Sequence, residues 1–298
     1  MRILHLDTGR EMRGGQWQAL RLMERLQAAG VASTLLAREG GALLEAARTR
    51  GLAAEALGWA RLAALAGKHD LVHAHDARAH TMAAVAGGRA PLVVSRRVAF
   101  AVRRGLVSRW KYRRATRYLA VSEHVARVLA EAGVEADKVS VVYDGVPLLP
   151  VTEGTRVVTP ASGGDPLKGA ALAMEAGRRA GVKVEVSSNL EEDLRTTGVF
   201  VYVTRNEGLG SGALLAMSAA AAVVASDVGG LREVIQDRVN GMLVENSPSA
   251  VAGAIRELAE HPESARSLGL VARRRISERF TVDRMVLETM EVYRQVLS

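Results

Sequence analysis

The sequence predicts an α/β protein made of two Rossmann-like, doubly wound parallel-sheet domains, and three observations predict it. Short apolar runs rich in Val, Leu and Ile alternate with helical patterns from one end of the chain to the other. Glycine clusters fall where several of those runs end. At 298 residues and 48% hydrophobic content the chain can bury two ordinary cores of about 150 residues each.

The elements follow in order. Residues 2–6 read as the first strand, and Gly14-Gly15 open an amphipathic helix carrying Trp17, Leu20, Leu22, Met23 and Leu26 that stops at Gly30. A strand over 31–37, helices over 42–50 and 59–66, and a strand over 71–74 come next. The pattern continues with a helix over 77–86, a strand over 91–95, a helix over 106–114, a strand over 118–121, a helix over 123–132 and a strand over 139–142. Asp144-Gly145-Val146-Pro147 and the stretch to Gly154 read as a linker. The second half restarts with a strand over 156–160, the loop ASGGDPLKG and a helix over 170–180. A strand over 182–186 and a short helix over 190–196 lead to Val199. A last strand over 241–244 and helices over 249–260, 263–279 and 282–297 finish the chain.

Residues 199–235 hold the most functional information. A strand (199–204), a polar turn ending in Glu207-Gly208-Leu209-Gly210, a helix from Ser211, a strand over 223–226 and Gly229-Gly230 opening another helix make one β-α-β-α unit. In an open parallel sheet the carboxyl ends of strands form the ligand crevice, and helix N-termini point amide groups and a positive dipole end into it. Glu207 at that mouth can accept hydrogen bonds from two neighbouring hydroxyls, while Gly208 and Gly210 let backbone amides approach a phosphate or sugar. Sugar nucleotides have both features. The structural alternative is a glycine-rich βα turn with a solvent-facing carboxylate.

The stretch resembles the donor-binding motif of family 4 of the retaining glycosyltransferases, through Glu207, Gly208, Leu209, Gly210, Ala216, Met217, Gly229, Gly230 and Glu233. The resemblance extends over nearly the whole chain. It implies the GT-B architecture: an acceptor-side domain over 1–147, a nucleotide-sugar-binding domain over 148–280, shortened here, and a final helix over 281–298 that returns to the first domain, with a cleft between the two sheets. It also implies the site. Lys168 and Glu207 carry catalysis; Gly14, Gly15, Lys168, Glu207, Gly208, Leu209, Gly210 and Ser211 bind the donor; His75, Arg96 and Arg97 meet the acceptor. Two positions depart from the family pattern. Leu215 stands where the family has a second acid, and Gly163 where it has an arginine, which motivates a second reading: a relative that keeps the fold but binds a glycan, lipid or partner enzyme without catalysis.

Composition removes other classes. With no cysteine there are no disulfides, thiolate metal sites or cysteine nucleophiles. The apolar opening is too short for a signal peptide and is interrupted by Asp7, and the longest apolar run, 213–225, is too short for a bilayer span. The expectation is a cytoplasmic protein, peripheral at the inner face of the membrane. The first loop lacks the G-x-G-x-x-G of a dehydrogenase. His73, His75, Asp76 and His80 gather at a strand end, where a zinc hydrolase would use them, but their spacing fits no zinc signature, so no metal and no cofactor are expected.

The net charge of +8 has a local origin, since residues 96–118 hold nine Lys or Arg and no acid. Arg103, Arg104, Arg109, Trp110, Lys111, Arg113 and Arg114 suit an anionic membrane surface, at about 1 kcal/mol per basic residue near the headgroups. No nucleic-acid-binding motif accompanies the run; a solvated helix face is the plain alternative. The resulting expectation is a hexosyltransferase-like enzyme. It would move a sugar from a nucleotide diphosphate sugar to a glycolipid or polysaccharide acceptor of the cell envelope, such as lipopolysaccharide, with retention of configuration.

Overall fold

The computed structural model describes residues 1–102, 105–161 and 169–298. They divide into two compact units, Met1–Tyr143 with Val282–Ser298, and Asp144–Thr281. The first unit contains β1 (Arg2–Asp7), α1 (Gly14–Ala28), β2 (Ala32–Ala37), α2 (Ala42–Thr49), β3 (Ala54–Ala56), α3 (Trp59–Ala66), β4 (Leu71–Ala74), α4 (Ala77–Ala86), β5 (Leu92–Arg96), α5 (Leu106–Arg114), β6 (Arg117–Ala120), α6 (Glu123–Glu131) and β7 (Val139–Val141). The second contains β8 (Arg156–Pro160), α7 (Ala170–Ala180), β9 (Val184–Ser187), α8 (Leu190–Asp193), β10 (Thr197–Tyr202), α9 (Ser211–Ser218), β11 (Ala222–Ser226), α10 (Leu231–Val234), β12 (Met242–Val244), α11 (Pro248–Glu260) and α12 (Pro262–Arg279); α13 (Val282–Leu297) belongs to the first unit again.

The first sheet has the order β3-β2-β1-β4-β5-β6-β7 and is parallel throughout. The chain winds outward from β1 to β3, then returns to lay β4 on the other side of β1. That reversal makes the carboxyl ends of β1 and β4 the place where side chains of two loops diverge and leave a crevice. In the core beneath, one residue from each of four strands, Ile3, Leu71, Val93 and Leu119, meets Leu22 and Leu26 of α1 and Val286 and Tyr293 of α13. Each fully buried Leu or Ile contributes about 1.5–3 kcal/mol, so α13 is an integral wall of this core. The sequence pattern misses β3, because Ala-Glu-Ala has no β-branched residue and forms a three-residue edge strand on β2.

The second sheet has the order β12-β11-β10-β8-β9, also parallel. Its reversal lies between β8 and β10. Val157, Val199, Val201, Val203 and Val224 pack on Ala173 and Ala176 of α7 and on Val251, Ile255 and Leu258 of α11. The class expected from the sequence, two parallel α/β sheets, is the one observed. Among the described residues no helix is long and apolar enough to cross a membrane.

Candidate active site

In the second unit the switch point between β8 and β10 is flanked by the carboxyl end of β8 and the turn 203–210. Lys168, like Gly163, Arg103 and Arg104, lies outside the described residues. Its neighbour Gly169 donates its N–H to the Val203 carbonyl at 2.9 Å, which ties the residue before α7 to the start of the turn. The turn itself is stitched to the next two strands. Thr204 N donates to Ser226 Oγ at 2.8 Å, Ser226 Oγ donates to Asn246 Oδ1 at 2.6 Å, and Asn246 Nδ2 returns to the Thr204 carbonyl at 2.8 Å.

This frame holds Glu207. Its Oε2 accepts from the Tyr202 hydroxyl at 2.6 Å and its Oε1 from the Gly208 N–H at 3.1 Å. Tyr202 is buried at the end of β10, so the phenol fixes the carboxylate from below as a charge-assisted donor. Gly210 then adopts φ +101°, which an L side chain rarely adopts, and that turn starts α9. The first amides of α9 have no acceptor within the helix. Gly230 N donates to the Glu207 carbonyl at 3.1 Å, and a Cβ on Gly230 would overlap the Gly208 carbonyl. The two glycine motifs of the sequence, 208–210 and 229–230, are therefore halves of one packed turn. Leu209 is buried, and so is Leu215; α9 is apolar along the whole of 213–217, so an acid at 215 would carry a desolvation cost that leucine avoids.

In the first unit the β1/β4 switch point is laced by carboxylates. Gly14 and Gly15 open α1, and Gln16 donates Nε2 to both oxygens of Asp7, at 3.1 and 3.0 Å, while Asp7 Oδ1 accepts from Gly9 N at 2.7 Å. Burial pushes the Asp7 carboxyl up to about 6, with the nearby Asp76 adding to the rise and Gly9, Gln16 and Arg97 opposing it. Asp76 caps α4 through the N–H groups of Arg78 and Ala79, and accepts from Thr8 N and Thr8 Oγ1.

The four residues weighed as a zinc set separate. His80 Nε2 contacts the Lys111 carbonyl at 3.3 Å and its ring packs on Tyr112 and Tyr118, while Asp76 is occupied with its cap. His73 and His75 are joined instead by His5 from β1, whose register partner is His73, and the ligating atoms of the three imidazoles lie within 4.8 Å of one another. All three are buried. Burial lowers the His5 pKa to about 3, with His69 adding to it; burial also holds His73 and His75 well below the ordinary imidazole value, with the neighbouring histidines and Arg97 adding to that. His73 lies between the Tyr293 hydroxyl of α13, 2.5 Å from Nδ1, and Ser95 Oγ, 2.8 Å from Nε2. His75 Nε2 is 3.0 Å from His5 Nδ1, and Arg97 Nη1 is 3.4 Å from His75 Nδ1. A guanidinium donating to a ring nitrogen is the reverse of the outward donation a metal-bound histidine makes, and here a hydrogen bond joins His75 to His5.

The basic helix α5 buries none of its residues. Leu106, Val107 and Trp110 are exposed, as are Val98 and Phe100 before it. Arg109 and Arg113 face solvent, whereas Lys111 Nζ bonds the Ala77 carbonyl and Arg114 the Gly88 carbonyl. Arg96 is buried, with its Nη2 on the Phe100 carbonyl at 2.5 Å. Sequence reasoning misses Tyr202, His5, Gln16 and the interior role of Asp7. The available signals were the strand positions of His5, Asp7 and Tyr202 beside the two switch points and the place of Gln16 in the first turn of α1.

The sequence pattern described as Glycosyltransferase Family 4 matches residues 12–148, and that described as Glycosyl transferases group 1 matches residues 121–261. The chain belongs to the family-4, group-1 glycosyltransferases. A family relative, the alpha-maltose-1-phosphate synthase of Mycolicibacterium smegmatis, is 39% identical over 114 residues, 36% of this chain and 30% of that protein. The D-inositol 3-phosphate glycosyltransferase of Streptomyces griseus is 31% identical over 157 residues, 48% of this chain and 33% of that protein. The alignments thus span about a third of these curated relatives. Solved structures share the fold over its full length. Anabaena Alr3699/HepE, crystallised with UDP and glucose, superposes with a TM-score of 0.87 at 18% identity, covering 99% of this chain and 100% of that one. The lipopolysaccharide outer core galactosyltransferase WaaB gives 0.70 at 14%, covering 99% of each. The two sheets are those of the GT-B class.

Proposed function

We propose that this chain is a retaining glycosyltransferase that moves a sugar from a nucleotide diphosphate sugar to a membrane-associated acceptor, an envelope glycan or a lipopolysaccharide-type lipid. The observation that carries the reading is the Glu207 carboxylate, gripped by Tyr202 and Gly208 at the mouth of α9 beside the β8/β10 switch point. A carboxylate held there accepts hydrogen bonds from sugar hydroxyls, and the α9 amides face the diphosphate. As the anomeric C–O bond breaks, negative charge grows on the departing diphosphate; Lys168 and the preorganised amides of α9 stabilise it. That charge is met without a metal ion in this scheme, and no protein nucleophile is called for. Arg96 and Arg97 serve the acceptor, and the Gly14-Gly15 amides the acceptor or the donor diphosphate. The likeness to a HepE structure solved with UDP and glucose, and to WaaB, supports a UDP-sugar donor and an envelope acceptor. The exposed cations and apolar residues of α5 would hold the enzyme reversibly at the anionic face of the membrane on which that acceptor sits.

Calorimetry of the chain against a panel of nucleotide sugars, followed by transfer assays with Glu207→Ala and Lys168→Ala, tests this. Each variant should lose at least about a hundredfold in kcat/KM with little change in Tm, and undiminished transfer in either removes the assignment. The second reading, a binding protein without catalysis, is favoured by the buried Leu215 where the family carries an acid. Failure of every nucleotide sugar to bind would favour it.

A further inference from the structure

The Arg97–His75–His5 contacts have a direction that chemistry fixes. A guanidinium only donates, so His75 Nδ1, 3.4 Å from Arg97 Nη1, is an acceptor. The single proton of neutral His75 therefore sits on Nε2, which donates to His5 Nδ1 at 3.0 Å. His5 in turn carries its proton on Nε2, a buried atom with no partner among the described residues. A reversed chain would set two donors against each other at Arg97. His75 is 4% exposed, which leaves no room for a ligand to lie on its ring, whereas Arg97 is half-buried and runs its Cδ past Gly15 at the start of α1, 3.7 Å from where a Cβ would stand.

We propose that His75 is a positioning residue, acting on the acceptor through Arg97: its Nδ1 holds the guanidinium over the first turn of α1, where Arg97 and the helix amides grip an anionic group, a phosphate or carboxylate, of the acceptor. This deepens the reading of the first unit as the acceptor side and rests on it, but its test needs no turnover. Inorganic phosphate is titrated into the full chain and followed by calorimetry, for the wild type, His75→Phe, His75→Asn, Arg97→Ala and the double variant His75→Phe/Arg97→Ala, with Tm recorded for each. Losing one hydrogen bond to a charged group weakens phosphate binding about tenfold to a hundredfold in His75→Phe. His75→Asn restores most of it, because Asn Oδ1 takes the place of Nδ1. In the Arg97→Ala background His75→Phe changes nothing further.

Three results overturn the proposal: phosphate binding unaffected by Arg97→Ala, binding unaffected by His75→Phe, or an equal loss from His75→Phe with and without Arg97. Should His75→Phe fail to fold, histidine 15N spectra of the wild type decide, since a His75 protonated on Nδ1 is incompatible with the chain of donors described. A protein that passes these tests and transfers no sugar loses the function proposed above and keeps the anion site held in place by His75.

Discussion

Gly210→Ala puts the packed glycine turn to a quantitative test that is independent of the reaction. Gly210 stands at φ +101°, ψ 61°, and a residue with a side chain costs about 1–3 kcal/mol in such a region. The added methyl would lie 2.6 Å from Leu231 Cδ2, and moving that buried side chain off its rotamer costs about another 0.5–1.5 kcal/mol. A loss of about 1.5–4.5 kcal/mol, at about 3 °C per kcal/mol for a unit of this size, lowers the melting transition of the second unit by about 5–13 °C. Differential scanning calorimetry of the full chain reads it. Gly253→Ala in α11 is the control, because a Cβ there meets nothing within 4 Å, and it should gain about 0.5–1 kcal/mol. A Gly210→Ala protein that melts with the wild type would mean that the turn is not built as described. Nucleotide-sugar affinity should fall in parallel, since the direction of the α9 amides depends on that one backbone angle.

Three further outcomes are expected. Tyr202→Phe keeps the ring against Gly210 and Gly212 but removes the donor to Glu207, so kcat/KM for transfer falls about ten- to a hundredfold at nearly constant Tm, and unchanged kinetics would reject an orienting role for the phenol. Asp7 has a folded-state pKa of about 6 against an ordinary 3.8, so between those pH values the folded chain binds more protons than the unfolded one, and this group lowers stability as pH rises through that window. The effect is complete above pH 6 and amounts to about 3 kcal/mol. Asp7→Asn removes it, so urea unfolding should show the variant gaining on the wild type from pH 4 to pH 7, with the opposite slope from the depressed His5 present in both; parallel curves would contradict the buried, charged Asp7. Replacing Arg109 and Arg113 by Gln should weaken co-sedimentation with phosphatidylglycerol vesicles about thirtyfold at low salt and hardly at all in 1 M salt. Equal sedimentation of variant and wild type at low salt would leave α5 a plain solvated helix.

Much of the fold was legible because local signals agree with it. Asp76 and Ser122 start α4 and α6 as side-chain caps, and every long apolar strand lies where its residues alternate with helical segments. β3 was not legible, since a three-residue edge strand is defined by the neighbour it pairs with. In the second unit Glu207 and its glycines could be read because their meaning lies within one short stretch of chain. Tyr202 sits five residues from Glu207, yet nothing in its identity shows that its hydroxyl turns toward the carboxylate rather than into the core. The polar layer of the first unit was hidden for a different reason. His5, His73, Ser95 and Tyr293 come from four elements, and the His73–Tyr293 pair is 220 residues apart in sequence; only the parallel register of β1 on β4 brings the imidazoles together.

The contact between Tyr293 and His73 has a consequence for biosynthesis. The interior of the first unit is closed by a helix that the ribosome makes after the whole of residues 144–281. During translation the early half therefore waits with His73 and the apolar surface around Ile3 and Leu22 open, while the later half, continuous in sequence, can finish folding ahead of it. Cleavage just before residue 282 would return the nascent protein to that waiting state.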